Sequence, residues 1–159
     1  MHTEEERQQF LAAIKANVDG GEQEYEPTIF CDFNQGEMVS SPIPLNGPQD
    51  KDIMVEMIYR LIRQERLTWF ALVLESWMCT IPHKEADYEE IMKLPAPLRP
   101  GAQEVVLVTI SNSKQQHNWM GMLEKVRGKR YIKEWKAMPD SMAQGRFMDL
   151  WKKAKAVTN

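Results

Sequence analysis

The stretch Thr68 to Leu74, TWFALVL, constrains the fold more than any other part of this chain. Successive side chains of a β-strand point to opposite faces of a sheet, and this run places apolar groups on both faces. A strand that is apolar on both faces is typical of the centre of a sheet. We therefore predict a central strand over residues 68–80.

The other elements follow from periodicity and from turn residues. Thr3 and Glu6 form a capping-box pattern ahead of an amphipathic helix over 4–18. Apolar residues at helical spacing predict a second helix over 50–65 and a final helix over 141–155. Further strands are predicted at 28–33, 38–41, 104–110, 117–126 and 130–136, and a helix is the alternative for the last of them.

Runs of strands without regular alternation with helices favour an antiparallel sheet. The fold class is therefore predicted as α+β: a single domain over 1–159, with a mainly antiparallel sheet of four to six strands and about three helices packed on it. Residues 81–102 contain four prolines and are predicted to form a long loop, and loops of this length often carry function.

The composition excludes several classes of protein. The chain has 159 residues, 43% of them hydrophobic and 27% charged, as in ordinary globular domains. Two cysteines, Cys31 and Cys79, make neither a disulfide framework nor a zinc site. The acidic residues 1–6 lack the features of a signal peptide, and no apolar run reaches the ~18 residues of a membrane span. We expect a cytoplasmic protein with no membrane contact, no metal and no cofactor, since phosphate-binding glycine motifs are also absent.

Glu75 is the most unusual residue in the sequence, because it ends an apolar run and shares a face with Val73 and Trp77. A carboxylate beside large apolar groups has its charged form disfavoured, which is how catalytic acids and bases are tuned. The alternatives are that the strand has already reached solvent at this point, or that Glu75 forms an ion pair with an arginine. Arg99 is the candidate partner, because the long loop must return it toward the strand ends.

Cys79 and His83 lie four residues apart where the predicted central strand ends. A thiol and an imidazole can act as nucleophile and base. Such pairs meet in space rather than in sequence, and no cysteine-hydrolase signature surrounds Cys79. A buried thiol followed by a loop imidazole is the favoured interpretation.

Charge is distributed unevenly along the chain. Residues 1–112 hold 9 basic and 19 acidic residues, whereas residues 113–159 hold 11 basic and 4 acidic ones. Basic residues interleaved with aromatic ones can follow a phosphate backbone and stack on bases. The candidate nucleic-acid contacts are Arg127, Lys129, Arg130, Lys133 and Trp135. The net charge of −3 argues against strong long-range attraction to nucleic acid.

One pattern in the middle of the chain combines two strand ends with a proline-rich loop. A strand ends with Glu75-Ser76-Trp77-Met78, a proline-rich loop closes with Leu98-Arg99-Pro100, and a strand begins with Glu104-Val105-Val106-Leu107-Val108. This pattern, which covers about residues 69–110, resembles small uncharacterised proteins of bacteria and their phages. The segment before this second strand, Gly101-Ala102-Gln103, is less charged than the pattern of that family leads us to expect.

The resemblance implies a bacterial or phage origin and carries no activity. It also implies that Glu75, Trp77, Arg99 and Glu104 converge at one end of the sheet, and His83 joins them in the candidate functional cluster as a further residue of a ligand or catalytic site. A protein-binding role is the leading hypothesis, and the sequence leaves a homodimer open. Small-ligand binding or catalysis at the end of strand 68–80 and nucleic-acid binding through 113–159 are the alternatives.

Overall fold

An antiparallel sheet organises the protein. The computed structural model describes residues 1–34, 36–79, 86–138 and 148–157. In these ranges the strands are β1 (Thr28–Phe33), β2 (Met38–Pro42), β3 (Leu67–Met78), β4 (Gln103–Asn112), β5 (Gln116–Val126) and β6 (Lys129–Ala137). They lie in the order β2-β1-β3-β4-β5-β6, and every neighbouring pair is antiparallel.

The helices are α1 (Glu4–Val18), α2 (Pro48–Arg63), α3 (Tyr88–Lys93) and α4 (Leu150–Val157). The predicted α+β fold with a mainly antiparallel sheet is therefore confirmed. The cap of α1 is confirmed as well, because the hydroxyl of Thr3 accepts a hydrogen bond of 3.1 Å from the backbone N–H of Glu6. Within the described ranges, no helix combines the length and the apolar character needed to cross a membrane.

The central position of β3 is also confirmed, since apolar cores cover both of its faces. Trp69, Ala71 and Val73 belong to the core beneath α1, which contributes Leu11, Ile14 and Val18. Phe70 and Leu72 belong to the core on the other face. That second core is completed by Met54, Ile58 and Ile62 of α2 and by Leu150, Trp151 and Ala154 of α4.

Residues 130–136 form a strand, so the helical alternative for them is wrong. A bulge in β6 explains the misleading spacing of Tyr131 and Trp135. Gly121 pairs with Trp135 while Leu123 pairs with Ile132, so β6 has one residue more than β5 between these pairs. The extra residue turns Trp135 toward the core beneath α1, where it packs half-buried, and leaves Tyr131 exposed.

Two predicted segments differ from the structure. The described part of the segment 81–102 is not one irregular loop, because it contains α3 and a 3-10 turn at Ala96–Leu98. The final helix does not run unbroken over 141–155. Asp149 has a left-handed backbone with φ of 56°, so α4 starts after it at Leu150, and residues 139–147 lie outside the described ranges.

Gly121, on β5, lies in close contact with side chains of β6. A Cβ atom at Gly121 would lie 2.8 Å from Cζ3 of Trp135 and 3.0 Å from Cγ2 of Ile132. We therefore expect Gly121→Ala to lower the free energy of unfolding by about 1–3 kcal/mol through overpacking, as measured by urea denaturation. In a Trp135→Leu background the cost should be at least halved, and an equal cost in both backgrounds would contradict this explanation.

Candidate functional site

A buried ion cluster lies at the end of the sheet where β3 ends and β4 begins. The guanidinium of Arg130, on β6, is only 3% exposed and makes a bidentate pair with the carboxylate of Glu75 on β3. Its Nη2 also donates to Oε1 of Glu104, on β4, at 2.7 Å. A planar guanidinium suits this role because its fork of N–H groups matches a carboxylate. One side chain therefore ties three strands together.

The linker between α1 and β1 closes over this cluster. Nη1 of Arg130 donates to the carbonyl oxygen of Gln23 at 2.9 Å, and the backbones of Arg130 and Gly21 form an antiparallel bridge. The N–H of Tyr25 donates to Oε1 of Glu75 at 2.8 Å, and Nζ of Lys125 lies 3.4 Å from Oε2 of Glu104. Each of the four carboxylate oxygens of the two glutamates thus has a partner.

Glu75 therefore forms an ion pair with an arginine, which is one of the alternatives that the sequence left open. The arginine predicted as its partner, Arg99, was wrong. Arg130 takes the place expected for Arg99. Burial acts to lower the pKa of Arg130, but the hydrogen bonds and the charge of Glu75, together with the charges of Glu104 and Glu24, outweigh burial and raise that pKa above its usual value. The guanidinium is permanently charged and holds Glu75, which leaves this carboxylate unsuited to act as a general base.

Three carboxylates of this region could in principle hold a metal ion. The carboxylate oxygens of Glu24, Glu75 and Glu104 lie within 4.8 Å of one another. Arg130 already bonds two of the three, and a cation would have to compete with its guanidinium. The arrangement serves to neutralise buried charge.

Arg99 has a different task, which is to fix the backbone of the segment after α3. Its Nε donates to the carbonyl oxygen of Leu94 and its Nη2 to that of Met92, both at 3.1 Å. The 3-10 turn at Ala96–Leu98 packs against β3. Arg99 thereby closes this segment into a compact shape beside the end of β3.

The same segment exposes large apolar side chains. Leu98 is 68% exposed, Met92 and Leu94 are each 40% exposed, and Trp77 at the end of β3 is 37% exposed. Trp77 lies opposite Glu104 in the register of β3 and β4, so it stands next to the ion cluster. We call these four residues the apolar rim.

Of the cluster predicted from the sequence, the structure brings Glu75, Trp77 and Glu104 together at one end of the sheet. Arg99 belongs to the adjoining segment, and His83 lies outside the described ranges. Sequence reasoning missed Met92, Leu94 and Leu98. A signal for them was present, because a proline-rich loop rarely needs three large apolar residues unless they pack or bind.

The predicted nucleic-acid contacts separate into two groups. Arg130 lies in the ion cluster, and Trp135 packs on the core beneath α1. Arg127, Lys129 and Lys133 are exposed along the turn before β6 and along β6 itself, which is an edge strand. Lysines and a bulge on an edge strand hinder pairing with other chains, and this accounts for the lysines without a ligand.

The two cysteines occupy different environments. Cys31 is buried in the core beneath α2, and burial raises the pKa of its thiol to about 11. Cys79 is partly exposed just beyond the end of β3. Only Cys79 therefore lies where a reagent can approach it, and Cys31 acts as an apolar core residue.

Comparison of the chain with protein-family models, with curated proteins and with solved structures gives no match in any of the three. The function must therefore be argued from the geometry of the chain itself.

Arg130 provides the sharpest test of the ion cluster. Arg130→Met leaves two carboxylates buried without their partner, so we expect the free energy of unfolding in urea to fall by about 3–5 kcal/mol. Arg127→Met, at an exposed arginine nearby, should change it by less than about 0.5 kcal/mol. Adding Glu75→Gln and Glu104→Gln to Arg130→Met should recover part of the loss. Equal stability of the two single variants would refute a structural role for the cluster.

The raised pKa of Cys31 gives a prediction for thiol labelling. In the native protein at about pH 8, a thiol reagent should modify Cys79 and leave Cys31 unmodified, because the reactive thiolate of Cys31 is scarce and buried. Mass spectrometry should show a second modification after denaturation.

The same raised pKa makes stability depend on pH. The thiol of Cys31 loses its proton near pH 9.0 in the unfolded chain but near pH 11 in the folded protein, so the free energy of unfolding should fall as the pH rises between these two values.

Proposed function

We propose that the protein acts by binding another protein, with the apolar rim as its contact surface. The observation that carries the proposal is the exposure of Met92, Leu94 and Leu98 on a segment whose backbone is held by Arg99, together with the exposure of Trp77 at the end of β3. Single apolar side chains on a surface are ordinary, whereas several gathered on one segment indicate a binding site.

The rigidity of the segment strengthens the proposal. Ordering a loop during association costs free energy, and a loop that is already ordered avoids that cost. The two hydrogen bonds from Arg99, the 3-10 turn and the contact with β3 order the segment before any partner arrives. Trp77 adds a large aromatic group, the kind of side chain that dominates the energy of many interfaces.

The two alternative functions have less support. For small-ligand binding or catalysis at the end of β3, a cavity of about 700 Å³ borders Glu75 and Ser76. Catalysis there would need a free acid or base, and Glu75 is bound to Arg130 and to the N–H of Tyr25. For nucleic-acid binding through residues 113–159, two of the predicted contacts are not on the surface, because Arg130 is buried and Trp135 packs against the core. The remaining contacts are Arg127, Lys129 and Lys133, with Tyr131 as the exposed aromatic side chain beside them.

Site-specific photo-crosslinking tests the proposal. A photoreactive phenylalanine analogue is placed at Leu98 and, as the matched control, at Ile53, which is 60% exposed on α2 and is not part of the rim. The resemblance to bacterial and phage proteins makes bacterial cells the first choice of host. We expect a discrete crosslinked protein from position 98 and none from position 53.

Arg99 offers a second readout of the same surface. Arg99→Met removes both hydrogen bonds that order the rim, so we expect the yield of the crosslink from position 98 to fall several-fold while the fold is retained. Circular dichroism controls for folding. Equal crosslinking from positions 98 and 53, or none from either, would overturn the proposed binding role.

A further inference from the structure

We infer that the partner presents a basic segment to the apolar rim, an inference that rests on the proposed protein-binding function. The parts of the chain that flank the rim are acidic. Residues 22–26 and 86–99 together contain six acidic and two basic residues. Those that are exposed and form no ion pair with another described residue, here called the acidic flank, are Glu22, Glu24, Glu26, Asp87 and Glu89.

The α1–β1 linker brings its carboxylates to the rim. The hydrogen bond from Tyr25 to Glu75 holds the linker at the end of β3. The carboxylate of Glu24 lies within 4.8 Å of those of Glu75 and Glu104, and Glu104 is opposite Trp77 in the sheet. Glu24 is exposed, so its charge faces a molecule that contacts Trp77.

The segment before the rim supplies the other carboxylates. Asp87, Glu89 and Glu90 precede Met92, and of these Glu90 is paired with Lys93 at 3.2 Å. The guanidinium of Arg99 lies against the backbone carbonyls of Met92 and Leu94, so its positive charge offsets part of this negative charge. The acidic residues of 86–99 still outnumber its basic ones by three to two, so the field of this segment is weakly negative.

The exposed cations at this end of the sheet do not cancel that field. Lys125 is paired with Glu104, Arg127 lies in the turn between β5 and β6, and Lys129 begins β6, and both of these strands lie on the far side of β4 from β3. The charge next to the rim is set by the acidic flank.

Carboxylates around an apolar contact select the partner by its charge. They attract a cationic surface during diffusional encounter and penalise an acidic one. The chemistry that fits is a polypeptide segment with two or more large apolar side chains flanked by lysine or arginine. A polyanion such as nucleic acid does not fit this face.

Selection from a displayed peptide library tests the inference. Random peptides of about twelve residues, a length chosen to cover a contact of about 800 Å² or less, are selected on the immobilised full chain and counter-selected on Leu98→Asp. We expect the enriched peptides to carry net positive charge and at least two large apolar residues. A synthetic enriched peptide should bind several-fold more weakly to Glu24→Lys/Glu89→Lys, whereas Glu37→Lys, in the β1–β2 turn, should bind it as the unmodified chain does.

Other outcomes would overturn the inference in distinguishable ways. Neutral or acidic peptides whose enrichment depends on Leu98 would refute the basic partner and leave the protein-binding role intact. A dimer in light scattering that Leu98→Asp abolishes would make a second copy of the chain the occupant. If no peptide shows dependence on Leu98, the inference fails, and the crosslink from position 98 then decides separately whether the rim binds a protein.

Discussion

The buried guanidinium of Arg130 is the interaction on which the end of the sheet depends. Two glutamates from neighbouring strands would repel each other in an apolar setting, and removing charge from water is costly. Arg130 makes their burial feasible because it bonds both of them and also the linker carbonyl of Gln23. The cluster is stable only when complete, so it fixes the relative positions of β3, β4, β6 and the α1–β1 linker.

The two arginines of this region bind different groups: Arg130 binds carboxylate side chains, and Arg99 binds backbone carbonyls. Arg130 fixes the sheet end on which Trp77 stands, and Arg99 fixes the segment that carries Met92 and Leu94. Each makes several directed hydrogen bonds at once, which the single ammonium group of a lysine does not reproduce. The apolar rim is therefore held by the ion cluster on one side and by the hydrogen bonds of Arg99 on the other.

Local patterns were enough to predict much of the fold. The ends of α1, the central position of β3 and the antiparallel sheet follow from capping, alternation and turn residues, which act over a few positions. The partner of Glu75 could not be predicted in this way, because Arg130 lies 55 residues further along the chain. The bulge in β6 and the break before α4 also depend on tertiary context. The resemblance, rather than these local patterns, is what suggested that Glu75, Trp77 and Glu104 lie together, and the arginine expected with them was Arg99 instead of Arg130.

The ion cluster also constrains how this chain can evolve. Arg130 cannot change alone without leaving Glu75 and Glu104 buried and unpaired, and neither glutamate can become a cation while Arg130 remains. A viable route to an apolar version must pass through neutral intermediates such as glutamine, or change several positions together. The three positions should therefore covary, so that a related sequence keeps all three residues or lacks all three.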